Sequence, residues 1–73
     1  MKITIESTTR IVNASGIDCR VWEGETEQGV KVQCLIALVA AHKDADLRQF
    51  EAELQEQRTP SFEPPAFPLR LIL

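Results

Sequence analysis

Apolar and polar residues alternate through KITIESTTRIV, residues 2–12. Ile3, Ile5, Ser7, Thr9 and Ile11 fall on one side of an extended chain, and Lys2, Thr4, Glu6, Thr8 and Arg10 on the other. A period of two in a stretch rich in β-branched residues predicts a strand. NASG, residues 13–16, is turn chemistry. IDCRVWE, residues 17–23, alternates again, with Ile17, Cys19 and Val21 inward and Asp18, Arg20 and Trp22 outward. GETEQG, residues 24–29, reads as a second turn, and a third strand is predicted over 30–41. That strand begins with alternation (Val30, Val32 and Cys34 against Lys31 and Gln33), but every residue from Leu35 to Ala41 is apolar. Its far end therefore needs cover on both faces.

The register follows from requiring the inward sets to share one core, since a one-residue slip turns every side chain over. The first hairpin then needs an odd loop. A three-residue loop, Ala14-Ser15-Gly16 with Gly16 left-handed, puts Ile11 opposite Cys19 and Arg10 opposite Arg20. The second needs an even loop, centred on Thr26-Glu27 or one residue later. The first choice sets Val21 opposite Val32, Cys19 opposite Cys34 and Ile17 opposite Ile36.

The period changes over DADLRQFEAELQEQ, residues 44–57. Leu47, Phe50 and Leu54 form one stripe, Glu51, Glu53 and Glu56 face water, and Asp44 is the expected N-cap with Asp46 in the first turn. TPSFEPPAFP follows, with prolines at 60, 64, 65 and 68, which excludes helix and central strand. The expectation is an extended connector anchored by Phe62 and Phe67, ending in a short apolar strand, LRLIL. The sequence thus predicts one α+β domain over 1–73: a three-stranded antiparallel β-meander (1–43), one helix packed on it (44–58), a proline-rich connector (59–68) and a C-terminal strand (69–73).

A single helix covers one sheet face. Val12, Leu35, Ala37 and Val39 point to the other, so either the C-terminal segment or a second subunit must cover them. A chain of 73 residues buries little core, and small domains commonly gain stability by oligomerising. A homodimer or higher oligomer is expected, with Leu35, Ala37, Val39 and Leu71 at its interface.

Composition narrows the function classes. The chain is 44% hydrophobic and 26% charged, with net charge −3. That balance disfavours bulk nucleic-acid binding, which needs a basic surface. No run approaches the roughly 18 apolar residues of a membrane span. MKITIESTTR lacks the apolar centre of a secretion signal, so a cytoplasmic setting is expected.

Few residues suggest chemistry. Cys19 and Cys34 read as two small buried hydrophobes in a reducing compartment rather than as a redox pair. One histidine, His42, and two cysteines do not make a zinc site, and His42 has no nucleophile motif beside it. No glycine-rich phosphate loop is present, all three glycines being read as turn residues. No enzyme, metal or cofactor is expected. The outer sheet face offers more. In the register above, Arg10, Arg20 and Gln33 form one row across the strands and Thr8, Trp22 and Lys31 the next. Tryptophan among cations suits a protein hot spot or a stacked anionic ligand, and equally a ring packed under cationic stems. Arg10, Arg20, Trp22 and Lys31 are the candidate binding surface.

MKITIESTTRIV, CRVWEGETEQGVKVQC, FEAELQEQ with prolines after it, and the ending PLRLIL together resemble small uncharacterised proteins of tailed bacteriophages and prophages of Gram-negative bacteria. The likeness spans most of the chain and carries no catalytic motif. It implies a phage protein, and small phage proteins outside the structural modules often act on host machinery. The expected function is non-enzymatic binding of a host protein in the host cytoplasm, such as a defence-system component, with inhibition as one outcome. The alternatives are an oligomeric module that sequesters a small anionic ligand such as a signalling nucleotide, and a small virion or assembly component.

Overall fold

The structure is a computed structural model that describes residues 1–61. Phe62, Phe67, Leu71, most of the expected connector and the expected C-terminal strand lie outside the described residues. Among the described residues three antiparallel strands form one open sheet, β1 (Ile3–Ala14), β2 (Ile17–Thr26) and β3 (Lys31–Ile36), in the order β1-β2-β3. One helix follows, α1 (Leu47–Leu54). This is the expected α+β meander, and the departures from expectation lie in the turns, the register and the faces.

The first hairpin turns on two residues. Ala14 pairs with Ile17, leaving Ser15 and Gly16 as the loop, both at positive φ (52° and 84°). This is the primed turn whose twist matches its strands. Asn13 secures it: its Oδ1 accepts from Gly16 N–H at 3.0 Å and its Nδ2 donates to Asp18 Oδ1 at 3.1 Å. The expected three-residue loop is thereby corrected, and Ile11, not Arg10, lies opposite Arg20.

The three-residue loop belongs to the second hairpin. Thr26 N–H donates to Val30 O and Gly29 N–H to Thr26 O, both at 3.0 Å, and Gly29 takes the left-handed conformation (φ 84°). Gly24, read as a turn residue, lies inside β2 opposite Ile5. It must be glycine there, because a Cβ would stand 1.8 Å from Thr4 O. The longer β2 moves the register: Val21 pairs with Leu35, Trp22 with Cys34 and Arg20 with Ile36. Cys19 lies opposite Val12, and the two cysteines, both free, face opposite sides of the sheet.

Directly paired residues share a face. The first face carries Ile3, Ile5, Ser7 and Ile11 with Arg20, Trp22, Val32, Cys34 and Ile36. The second carries Val12, Cys19, Val21, Glu23, Gln33 and Leu35. The inward sets expected for β1 and β3 do share a face, but β2 presents Trp22 to it rather than Val21. The physical reason is that β2 is central: it buries Cys19, Val21 and Glu23 on the second face and half-buries Arg20 and Trp22 on the first, so apolar parity along it does not mark the face that β1 shares. Val21 and Thr8 are fully buried, and Glu23 nearly so.

β1 breaks its pairing between Ser7 and Ile11, where Thr8, Thr9 and Arg10 stand against Val21 alone. The bulge carries Thr8 Oγ1 to Val21 O at 2.7 Å, and the same oxygen accepts from Arg10 N–H at 3.3 Å. It also turns backbone groups outward, where Arg58 meets them in a parallel bridge to Thr8: Arg58 N–H donates to Ser7 O (3.2 Å) and Thr9 N–H to Arg58 O (3.0 Å). The segment after α1 is thus bound to the β1 edge.

The third strand ends at Ile36, five residues short of the expected Ala41. Alanines at 37, 40 and 41 favour a strand weakly, and this stretch leaves the sheet. A turn closed by Ala45 N–H on His42 O (2.9 Å) then leads into α1. Asp46, rather than Asp44, is the N-cap, its Oδ1 accepting from Arg48 N–H (3.0 Å) and Gln49 N–H (3.1 Å). The helix is therefore shorter than the expected 44–58. No Cα of α1 comes within 8 Å of a strand Cα. It stands over the first face and leaves a cleft.

Candidate binding cleft

The cleft measures about 470 Å³, within the range of small-molecule and peptide side-chain pockets. Trp22 and Ile36 form its floor, Leu38 and Val39 one wall, and Phe50 and Leu54 the other. Each position follows from local structure. Trp22 is held at mid-sheet, opposite Ser7 on β1 and Cys34 on β3. Phe50 and Leu54 are four apart, so they share a side of α1. Leu47, expected in the same stripe, is 60% exposed. Leu38 is 83% exposed at the rim, where the chain has left the ladder.

Ser7, Arg20, Glu53 and Gln57 add polar groups. Arg20 is oriented by one bond, Nη1 donating to Thr8 O at 3.1 Å, and makes no ion pair among the described residues. Glu53, expected to face water, places a carboxylate at the same cleft. Ser7 Oγ donates to Glu56 O at 2.9 Å. Burial raises the pKa of the Cys34 thiol, the neighbour of Trp22 on β3, so it stays protonated and weakly nucleophilic at neutral pH. His42 lies outside the cleft, its Nδ1 accepting from Asp44 N–H at 3.1 Å.

Only part of the expected surface comes together. Arg20 and Trp22, two apart on β2, share the cleft. Lys31 lies on the opposite face, paired with Glu25 at 2.5 Å. Arg10 sits in the bulge, out of line with Arg20. The expected row of three cations around Trp22 is therefore not formed, because it depended on a straight β1 and on a second hairpin of different length. Of the expected interface residues, Ala37 and Val39 line the cleft, Leu35 is half-buried on the other face opposite Val21, and Leu71 lies outside the described residues.

On the second face sequence reasoning missed a polar node. Glu23 Oε1 accepts from Arg58 Nη1 at 2.6 Å and from Ser61 N–H at 2.9 Å, and Oε2 accepts from Ser61 N–H at 3.1 Å. The Glu23 side chain is 2% exposed and that of Arg58 35%. Hydrogen bonding to Glu23, together with the charges of Glu23 and Glu6, raises the pKa of Arg58 further. The available signal was parity: Glu23 continues the series Ile17, Cys19, Val21 and so places a carboxylate on a buried face.

Comparison of the chain with protein-family models, curated proteins and solved structures found no match. Among the described residues no group of three or more His, Cys, Asp or Glu side chains is placed to hold a metal ion, and no helix is long and apolar enough to cross a membrane.

Proposed function

We propose that this chain is a non-enzymatic protein-binding module whose cleft takes an apolar side chain of the partner, with a nearby partner carboxylate on Arg20. The observation that carries this reading is a pocket floored by tryptophan and rimmed by a leucine that is 83% exposed. Exposed apolar surface beside an anchored arginine is the composition of a protein hot spot. The polar groups near the floor support binding over catalysis, since the Ser7 hydroxyl is engaged by a carbonyl and the Cys34 thiol is held protonated. On the resemblance to small phage proteins, the partner is a host cytoplasmic protein such as a defence component, and occupancy of the cleft blocks it.

A second reading, a small anionic ligand stacked on Trp22, is favoured by the Arg20–Trp22 juxtaposition. It is opposed by the Glu53 carboxylate, which repels phosphate from the same cleft.

Selection from a random peptide library on the immobilised full chain, counter-selected on Leu38→Asp, tests the proposal. Enriched peptides are expected to combine a large apolar residue with a neighbouring Asp or Glu and to shift Trp22 emission. Arg20→Gln is expected to weaken them about tenfold, the equivalent of one charge-assisted hydrogen bond. Emission shifts with nucleotides and none with peptides would replace the proposal by the second reading. Silence to both would overturn both.

A further inference from the structure

The two edges of the sheet are finished differently. On the β1 side, the bulge and the Arg58 bridge occupy outward backbone groups of Ser7 and Thr9. Bulges and covering segments are the devices that keep an edge from recruiting a strand. Among the described residues β3 carries no such device. It has no bulge and no proline, and its one lysine, Lys31, stands at the first position and is paired with Glu25.

The groups that β3 turns outward can be identified. Thr26 N–H donates to Val30 O, so residues 26 and 30 form a hydrogen-bonded pair. Such pairs alternate along an antiparallel ladder. Val32, Cys34 and Ile36 therefore direct their N–H and C=O groups toward β2, and Lys31, Gln33 and Leu35 direct theirs away from it.

We propose that this edge pairs antiparallel with β3 of a second copy of the chain, about a two-fold axis perpendicular to the sheet at Gln33. Self-complementarity singles out the second copy. Gln33 then faces Gln33 of the other copy and Lys31 faces Leu35, so the outward groups of all three residues are satisfied by about six backbone hydrogen bonds. No like charges oppose each other across the seam. The perpendicular axis keeps each face on its own side, so the half-buried Val32 and Cys34 meet their counterparts and the apolar strip runs on from one sheet to the next. The need is also visible: among the described hydrophobic residues only Cys19 and Val21 are buried, a small core for a domain to stand on alone. The inference is independent of what fills the cleft, and it sets two clefts on the same side of a six-stranded sheet.

Sedimentation and amide hydrogen exchange on the full chain test it. The expected results are a mass of twice 8.2 kDa, and exchange at Gln33 and Leu35 that slows at least about tenfold between dilute and concentrated protein, while exchange at Trp22 does not change. In the backbone Gln33→Pro removes an outward donor and no bond to β2, which an edge strand tolerates. It is expected to give a monomer with unaltered circular dichroism and Trp22 emission. Should that variant fail to fold, the concentration dependence in the unaltered chain decides. A monomer at every concentration overturns the proposal. So does a dimer in which Gln33 and Leu35 exchange as fast as on dilution, or a monomer in which they are already protected, since the chain would then cover its own edge.

Discussion

Removing Arg58 weakens the support of a buried carboxylate. Glu23 is 2% exposed at its side chain and receives Arg58 Nη1 at 2.6 Å, so Arg58→Ala takes a charged partner from a buried carboxylate while the Ser61 N–H bonds stay. Breaking a fully buried pair costs about 3–5 kcal/mol. Arg58 is about one-third exposed and Ser61 retains its bonds, so the expected loss is smaller, about 2–3 kcal/mol. A domain of this size has about 3–5 kcal/mol in total, so Arg58→Ala lies near the edge of folding at 25 °C. Urea unfolding followed by Trp22 emission measures it, with an osmolyte added to keep a folded baseline. The pair itself is replaceable: Glu23→Leu combined with Arg58→Met is expected to recover to within about 1 kcal/mol of the unaltered chain, because no buried charge remains. An Arg58→Ala loss below about 0.5 kcal/mol, or a double variant worse than the sum of its singles, would refute the reasoning.

Three further outcomes follow from local geometry. Gly24→Ala drives a Cβ into the Thr4 carbonyl, a backbone clash that no rotamer relieves, and is expected to cost at least about 3 kcal/mol, read as a lowered urea midpoint. Ser15→Asn places a residue that tolerates positive φ at the first loop position and is expected to stabilise the first hairpin by about 0.5 kcal/mol, read as a raised melting temperature. The folded chain raises the Cys34 pKa by burial, so above about pH 8.5 the unfolded chain loses a proton that the folded one keeps, and stability falls with rising pH. The raised Arg58 pKa acts only in stronger alkali, because its contribution persists until the arginine itself titrates. Cys34→Ser should therefore remove the difference between urea midpoints measured at neutral and at mildly alkaline pH.

The three strands and the helix were legible because each carries its own period. What the sequence hid was the relation between them. Alternation along β2 names two sets of residues but not which set shares a face with β1, and a central strand supplies no solvent-exposed side to break the tie. Thr8-Thr9-Arg10 looks like ordinary strand, and the residue that bridges its bulge, Arg58, lies some fifty residues on. Gly24 has the look of turn punctuation, because a glycine required by a close backbone approach looks no different in sequence. Trp22 and Arg20 stood out as candidate binding residues by residue type alone, whereas the cleft that brings them together needed Leu38, Phe50 and Leu54 brought over the sheet by a chain reversal.

The central claim is that the face bearing Trp22, beneath α1, is the binding face. Intermolecular nuclear Overhauser effects from a library-selected peptide to the isotope-labelled full chain test it most directly. Cross-peaks from the peptide's apolar side chain to the Trp22 ring and to the Leu38 and Leu54 methyls are predicted. Cross-peaks confined to Val12 and Leu35, on the opposite face, would contradict it.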